Sequence, residues 1–323
     1  YAFEGCTNLW SVTFAANSKL ESISAYFFRG CDSIRYISFG QGSKLTSIQA
    51  HGFEGMRNLT SVDFGDAKLT NIDNYAFRYC ESLVSLTVPD GLTNIGRFAF
   101  YKCKNFTELS LPASLEHIGA YAFHGTNSCN LYFASESLPF YLDENWDDDI
   151  GGYYTGVTEV VTEDDFKYAK LTDGSVAIIE NLGNEKNVDL SSLSIGKITN
   201  IGGSAFRYRD TESVKLPSTV TQIQRYAFAD MKSLKSISIP ASVNYIARYA
   251  FCNTGITSLT FEGEGLKKAE QYAFAYNGSL KSVTLPASLE SLGSYAFYKS
   301  GLESLTFAQG SVIKEIPKYA FAG

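Results

Sequence analysis

Apolar residues recur along this chain in two rhythms. In Leu109-Ser110-Leu111 they alternate with a polar residue, the period of a half-buried strand, whereas Leu115 and Ile118 lie three apart and lead into Gly119-Ala120-Tyr121-Ala122-Phe123. The phrase returns twelve times, closing on Phe3, Phe28, Phe53, Phe77, Phe100 and Phe123, then on Phe206, Phe228, Phe251, Phe274, Phe297 and Phe321. Steps within each set run from 22 to 25 residues, with one interval of 83 between Phe123 and Phe206. A fixed period in the twenties predicts a solenoid of stacked short units, none of which buries its apolar face alone.

Each unit reads as two short extended stretches and a tight connector. The alternating pair recurs as Val12/Phe14, Ile37/Phe39, Val62/Phe64, Leu86/Val88, Val214/Leu216, Ile237/Ile239, Leu259/Phe261, Val283/Leu285 and Leu305/Phe307, and these strands should pair in parallel from one unit to the next. Pro112, Pro217, Pro240 and Pro286 follow four of them, where a missing N–H ends the ladder. The second pair, from Leu20/Ile23 and Leu45/Ile48 to Leu289/Leu292 and Ile313/Ile316, supplies the opposite wall. Gly96, Gly119, Gly202 and Gly293 follow it, but Pro317 fills that place once, so the site does not demand positive φ and glycine reads there as a convenience.

Composition narrows the function classes. With 45% hydrophobic, 14% aromatic and 19% charged residues the chain folds around a large core. A net charge of -7, with Lys and Arg scattered singly, excludes a nucleic-acid footprint. No apolar run reaches the roughly 18 residues needed to span a bilayer, so no membrane insertion is expected of this stretch. The sequence begins at Tyr1-Ala2-Phe3 and ends at Tyr319-Ala320-Phe321-Ala322-Gly323, inside a repeat at both ends, which suggests a segment of something longer.

Repeats of the form L-x-x-I-G-x-Y-A-F-x-x-C-x-x-L-x-S-L-x-L-P-x-S resemble the BspA-like, or treponemal-type, leucine-rich repeats over nearly the whole chain. The resemblance implies a curved, β-rich leucine-rich-repeat solenoid with short parallel strands and turn or 3-10 connectors. It further implies an extracellular, secreted or wall-attached bacterial protein that binds or adheres without catalysis. No catalytic residue comes with the resemblance.

The long interval reads as a boundary. Leu131 and Phe133 start one more unit and Leu138/Tyr141 imitate its second pair, after which the period is lost in Asp143-Glu144-Asn145-Trp146-Asp147-Asp148-Asp149. This stretch resembles the Trp-bearing unit that closes arrays in the family. Thr172-Asp173-Gly174-Ser175 lies between two β-prone runs, a hairpin signal. The hairpin resembles the family's opening F-x-Y-x-x-L-x-D-G-x-A-x-I element, except that Val176 and Ala177 crowd the last positions. The expected organisation is two stacked arrays, residues 1–156 with a closing cap and residues 157–323 opening with a hairpin cap, with the cap elements between them.

Candidate chemistry is sparse. Cys6, Cys31, Cys80 and Cys103 fall three places after the marker Phe, where Met56 and Met231 stand in other units, so the slot reads as buried and apolar and its thiols as reduced. His51, His117 and His124 lie in separate units with no C-x-x-C pair, which leaves no zinc motif. Asp143, Asn145 and Asp147 match the first ligands of a calcium loop, but Asp148 and Tyr154 stand where it needs Gly and Glu. No phosphate loop, dinucleotide fingerprint or nucleophile elbow is present, so no enzyme and no cofactor are expected.

Aromatic residues remain. Tyr lies two places before the marker in nine units, among them Tyr226, Tyr249, Tyr272 and Tyr295, and stacking would align these as a ladder along one edge. The ladder reads either as a contact surface or as a packing device. The outward strand positions, such as Ser258/Thr260 and Ser282/Thr284, give a small polar concave face without hot-spot residues. The aromatic and acidic junction, Phe140, Tyr141, Trp146, Tyr153 and Tyr154, breaks the monotony most and is the first candidate surface. The expected partner is a host extracellular-matrix or surface protein, or a glycan; the alternative is a structural spacer that holds another domain away from the cell wall.

Overall fold

The structure is a computed structural model that describes residues 2–127, 129–139, 141–143, 145–147 and 150–323. It divides into two compact units, Tyr1–Val157 and Thr158–Gly323.

In the first unit the alternating runs form short strands that pair in parallel from rung to rung. Ser11–Phe14, Tyr36–Phe39 and Ser61–Asp63 make one ladder, and Glu108–Leu111, Asn130–Phe133 and Gly152–Tyr154 another. Between them the rung at Leu86/Val88 keeps only a bridge from Ser85 to Glu108. The second apolar pairs build the opposite wall as a six-stranded sheet of two-residue strands, from Ser22–Ile23 to Tyr141–Leu142. Ile23, Ile48, Ile72, Ile95 and Ile118 are fully buried at its inward positions. Phe28, Phe53, Phe77, Phe100 and Phe123 fill the third side, each also fully buried. Rings of successive rungs stack nearly parallel, Phe77 on Phe100 at 5.2 Å and Phe100 on Phe123 at 5.4 Å. Each such ring contributes about 1.5–3 kcal/mol by leaving water, and the stacking adds about 0.5–1.5 kcal/mol.

The period persists beyond the place where the sequence suggests it stops. Tyr141 pairs with His117 and Leu142 with Ile118, so Leu142 is the residue that turns inward and Tyr141, 61% exposed, turns out. The one-residue offset reverses the expected roles of the pair, because adjacent strand residues face opposite sides. Gly152–Tyr154 then adds a further strand in register with Asn130–Tyr132. Trp146 and Ile150 pack onto the last rung, with the indole edge-on to Phe133 at 6.4 Å.

The second unit opens with strands Phe166–Leu171 and Ser175–Asn181, an antiparallel hairpin flanked by Val157–Glu163. Its turn is fixed by Gly174 at φ +76° and by the Asp173 carboxylate, which accepts the Ser175 amide at 2.9 Å. The crowding at Val176 and Ala177 is absorbed by a register shift between those residues, which leaves both buried. Parallel rungs follow from Lys197–Ile201 to Ser291–Leu292 on this wall. On the strand face Asn187–Asp189, Ser213–Lys215, Ser236–Ile239 and Ser258–Phe261 form one ladder, and Ser282–Leu285 and Ser304–Phe307 another. Connectors are turns throughout; among the described residues the single 3-10 helix is Leu190–Ser192.

The turns carrying the marker Phe have a regular left-handed backbone. Two residues before Phe53, Phe77, Phe100, Phe228 and Phe251 stand His51, Tyr75, Phe98, Tyr226 and Tyr249, all at φ between 54° and 63°. Two residues after the marker a second positive φ occurs, at Gly55, Tyr79, Lys102, Asp230 and Asn253. These left-handed residues aim alternate amides at the next rung. Tyr75 N–H donates to Arg97 O at 3.0 Å, Phe77 N–H to Ala99 O at 2.8 Å and Tyr79 N–H to Tyr101 O at 2.8 Å. Three main-chain bonds per rung therefore lace this side as the strands lace the other.

Glycine after the second pair is correctly free of a positive-φ demand, but it is more than a convenience. A Cβ on Gly119 would stand 2.4 Å from the Arg97 nitrogen, and one on Gly293 2.2 Å from the Gln271 nitrogen. Where glycine stands the preceding rung has closed onto it, whereas other rungs seat Gln49, Ala247 and Pro317 at the same place.

Candidate binding surface

The tyrosine row of the second unit is built by the turn just described. Left-handed backbone sets each ring upright over its neighbour, and Tyr226, Tyr249, Tyr272, Tyr295 and Tyr319 stack at 4.9, 4.9, 4.8 and 5.1 Å. Their faces are consumed by one another. Tyr226, Tyr249, Tyr272 and Tyr295 are half-buried, and Tyr319 is 46% exposed. Burial within the stack pushes the hydroxyls of Tyr249 and Tyr272 up from their ordinary pKa, assisted by the neighbouring tyrosines. Tyr298 stands edge-on to Tyr295 at 5.4 Å and to Tyr276 at 5.5 Å, widening the row into an aromatic patch toward the last rungs. At the other end the Arg207 guanidinium lies 4.3 Å from the Tyr226 ring centre and pairs with Asp230 at 3.3 Å.

The first unit carries a mixed version, Tyr26, His51, Tyr75, Phe98 and Tyr121, at 4.7 to 5.4 Å. Its last hydroxyl is capped: Asn145, also left-handed, donates from Nδ2 to the Tyr121 Oη at 2.9 Å.

The five junction aromatics do not form one exposed patch. Trp146 is 9% exposed and packs into the core, Tyr154 is 2% exposed, and Tyr153 is half-buried with its ring 5.7 Å from the indole. Only Tyr141 faces solvent, and Phe140 lies outside the described residues. Tyr154 holds an outward strand position, but the tilted ring of Tyr132 covers it at 5.6 Å and is itself 4% exposed. Position in a strand does not reveal such mutual covering, which is why these residues read as surface.

Two of the three residues that match the first ligands of a calcium loop are engaged elsewhere. Asp143 accepts the Ala120 amide at 3.2 Å and lies 3.4 Å from the His117 Nε2, while Asn145 caps the ladder. Asp148 lies outside the described residues, among which no group of three metal-binding side chains occurs. No helix among the described residues is long and apolar enough to cross a membrane.

The outward strand positions of the second unit are hydroxyl-bearing and exposed at Ser258, Thr260, Ser282 and Thr284, and line a groove of about 370 Å³. Glu262 accepts the Ser238 hydroxyl at 2.7 Å and Glu264 the Ser288 amide at 2.8 Å, so its two carboxylates are occupied structurally.

Short parallel strands on one side, laced turns on the other and a stacked phenylalanine column between them define a leucine-rich-repeat solenoid. The chain belongs to the BspA type leucine rich repeat family, whose model matches in 6 copies over residues 1–137 and 199–323. Repeats of this kind are generally non-enzymatic. No curated protein matches the sequence. Among solved structures it is similar to a leucine rich cell surface protein from Faecalibacterium prausnitzii, with 20% identity and a TM-score of 0.49 over 96% of this chain and 83% of that one. It is also similar to a leucine-rich repeat protein from Bacteroides ovatus, with 19% identity and a TM-score of 0.38 over 94% and 82%. For the leucine rich repeat protein of T. pallidum the values are 15% and 0.34 over 90% and 75%.

Proposed function

We propose that the chain is a non-enzymatic module of a bacterial cell surface that binds host or microbial macromolecules through an extended, repetitive face. The observation that carries this reading is the row Tyr226, Tyr249, Tyr272 and Tyr295, half-buried rings stacked every 4.8 to 4.9 Å. Tyrosine combines a rigid apolar body with a polar tip and loses little entropy on contact, and a row of identical weak contacts gains by multivalency. Tyr141 is the junction residue placed to contribute, being exposed. The description of the F. prausnitzii neighbour as a cell surface protein agrees with an extracellular location.

The test is binding of the immobilised chain to a panel of extracellular-matrix proteins and glycans. A variant with Tyr226, Tyr249, Tyr272 and Tyr295 changed to Phe keeps the stack and removes the hydroxyls. Saturable binding that this variant loses supports the tyrosine row. Binding that it retains but Tyr141→Ala loses moves the site to the junction, and no binding from the folded chain favours a spacer that displays another domain away from the cell wall.

A further inference from the structure

Two cysteines of neighbouring rungs, Cys6 and Cys31, occupy the same slot, three places after Phe3 and Phe28. The main chains on either side of the slot are bonded rung to rung, Gly5 N–H to Arg29 O at 2.8 Å and Arg35 N–H to Trp10 O at 3.0 Å. A Cβ on Gly30 would stand 3.6 Å from the Gly5 Cα, so the residues just before the two cysteines lie one over the other. Chains bonded in this way run about 5 Å apart, inside the range of roughly 4.4–6.8 Å between Cα atoms that a disulfide spans. Both cysteines also converge on one carbonyl. Phe3 O accepts the Cys6 amide at 3.2 Å and the Cys31 thiol at 2.8 Å, and the Cys6 thiol lies beside that of Cys31.

Access sets this pair apart within its column. Cys6 is exposed, whereas Cys31 is fully buried, as are Cys80 and Cys103. Met56 fills the slot of the following rung and separates the pair from Cys80. Burial pushes the Cys31 thiol up, so an oxidant arriving from solvent meets Cys6 first, and Cys31 is reached through it.

We propose that Cys6 and Cys31 form an oxidation site for hydroperoxides that closes into a disulfide joining the rungs of Phe3 and Phe28. With hydrogen peroxide, the Cys6 sulfur takes one oxygen as the O–O bond breaks, giving a sulfenic acid and one water. The Cys31 sulfur then attacks the Cys6 sulfur. The S–S bond forms, the S–O bond breaks, and the departing hydroxide takes the Cys31 proton as a second water. Two thiols are thereby oxidised and one peroxide is reduced to two waters. The proton leaves the contact with Phe3 O, which keeps the Cys6 amide as a donor, so closure strands no buried acceptor. The reduced state that the apolar slot implies is kept at Cys80 and Cys103, whose burial shields them from the same oxidant. The site is independent of the tyrosine row and uses none of its residues.

The experiment treats the full reduced chain with one equivalent of hydrogen peroxide, alkylates the remaining thiols in denaturant and digests with trypsin in the absence of reductant. Cleavage after Lys19, Arg29 and Arg35 separates the two cysteines. Mass spectrometry should find residues 1–19 joined to residues 30–35, lighter than the two free peptides by two hydrogens, while the peptides of Cys80 and Cys103 are alkylated. Exchange of the Gly5 and Arg35 amides, whose bonds tie the two rungs together, should slow by at least about threefold on closure. Cys31→Ser keeps a donor to Phe3 O and should abolish the linked peptide, with Cys6 passing on to sulfinic acid. The unsubstituted chain decides alone if that variant does not fold. Recovery of Cys6 as sulfinic acid, or bonded to a second chain, with Cys31 alkylated overturns the inference, as does recovery of both as alkylated thiols. A link between Cys80 and Cys103 formed as fast as the first overturns it too, because exposure would then not select the pair.

Discussion

The Sγ of Cys103 donates to the main-chain carbonyl of Phe77 at 3.0 Å, one rung back along the solenoid. Cys80 does the same to Phe53 at 3.2 Å and Cys31 to Phe3 at 2.8 Å. The slot after the marker Phe is therefore buried, as its occupancy by methionine implies, but it is not purely apolar. Where polar residues take it they serve nearby carbonyls: Thr126 donates to Phe123 O and Ser300 to Phe297 O, each at 2.7 Å, and Asn277 to both Phe251 O and Phe274 O at 2.9 Å. Methionine is tolerated because the carbonyl has a second partner; Phe77 O already accepts the Cys80 amide at 3.0 Å.

It follows that Cys103→Ser should cost no more than about 1 kcal/mol, whereas Cys103→Ala, which loses volume and donor together, should cost about 1–2 kcal/mol. Denaturant unfolding of both variants decides; a serine variant clearly less stable than the alanine one would refute the carbonyl contact. Burial pushes the thiols of Cys80, Cys103 and Cys129 up, and Cys252 up to about 11, while Cys6 is exposed. One thiol, Cys6, should accordingly react rapidly with a thiol reagent in the native chain.

Much of this architecture was legible in spacing alone. Alternation at Leu109/Leu111 and the step from Leu115 to Ile118 give the two walls, because inward positions must be apolar in every rung. Register at an irregular rung was not legible: Leu138/Tyr141 and Leu142 are all apolar enough to face inward, and only pairing with His117–Ile118 chooses Leu142. The burial of Trp146 and Tyr154 was hidden for a related reason, since it depends on neighbours distant in sequence. The left-handed turns left a readable trace. Gly5, Gly30, Gly55 and Gly125, with Asp230 and Asn253, occupy one column two places after the marker, the residue types that accept positive φ most readily. The column before the marker gives no such trace, because tyrosine there is chosen for its stacking.

That column makes an unusual substitution pattern testable. Tyr249 sits at φ +61° between Tyr226 and Tyr272. Alanine keeps the torsional strain and loses the stack, while glycine loses the stack but is free of strain. Tyr249→Gly should therefore be more stable than Tyr249→Ala by about 1 kcal/mol, the reverse of the usual order in regular structure. Tyr249→Phe should be within about 0.5 kcal/mol of wild type. Thermal or urea unfolding of the three variants is sufficient, and an alanine variant more stable than the glycine one would rule out the left-handed turn.

Phe100 tests the core. Its ring is fully buried and touches Phe77, Phe106 and Phe123 at 5.2, 5.0 and 5.4 Å. Phe100→Ala should cost about 3–5 kcal/mol, the range for truncating a buried aromatic. The two tryptophans, Trp10 and Trp146, both belong to the first unit, so their fluorescence follows that unit alone. In the variant the fluorescence transition should move to lower denaturant while a later circular-dichroism transition from the second unit stays in place. A loss under about 1 kcal/mol would show that the phenylalanine column is not the core.

Acid should act on the second unit through three exposed aspartates. The Asp173 carboxyl is held below the usual carboxylate range by Ser175, Asp189 by Ser191 and then by the Lys215 ammonium, and Asp210 chiefly by the Lys186 ammonium. Lower pKa values in the folded state mean that the unfolded chain takes up protons first as the pH drops. The stabilisation is thus fully present above the ordinary aspartate value of about 3.9 and is lost as the pH falls through the lower folded values. All three groups are exposed, so the effect is modest and weakened by salt. The circular-dichroism melting temperature of the second unit should be flat between about pH 6 and 5 and fall below about pH 4. Asp210→Asn removes one of the three contributions and should flatten that fall. An equally steep fall in that variant and in the matching Asp173→Asn and Asp189→Asn variants would place the acid sensitivity elsewhere.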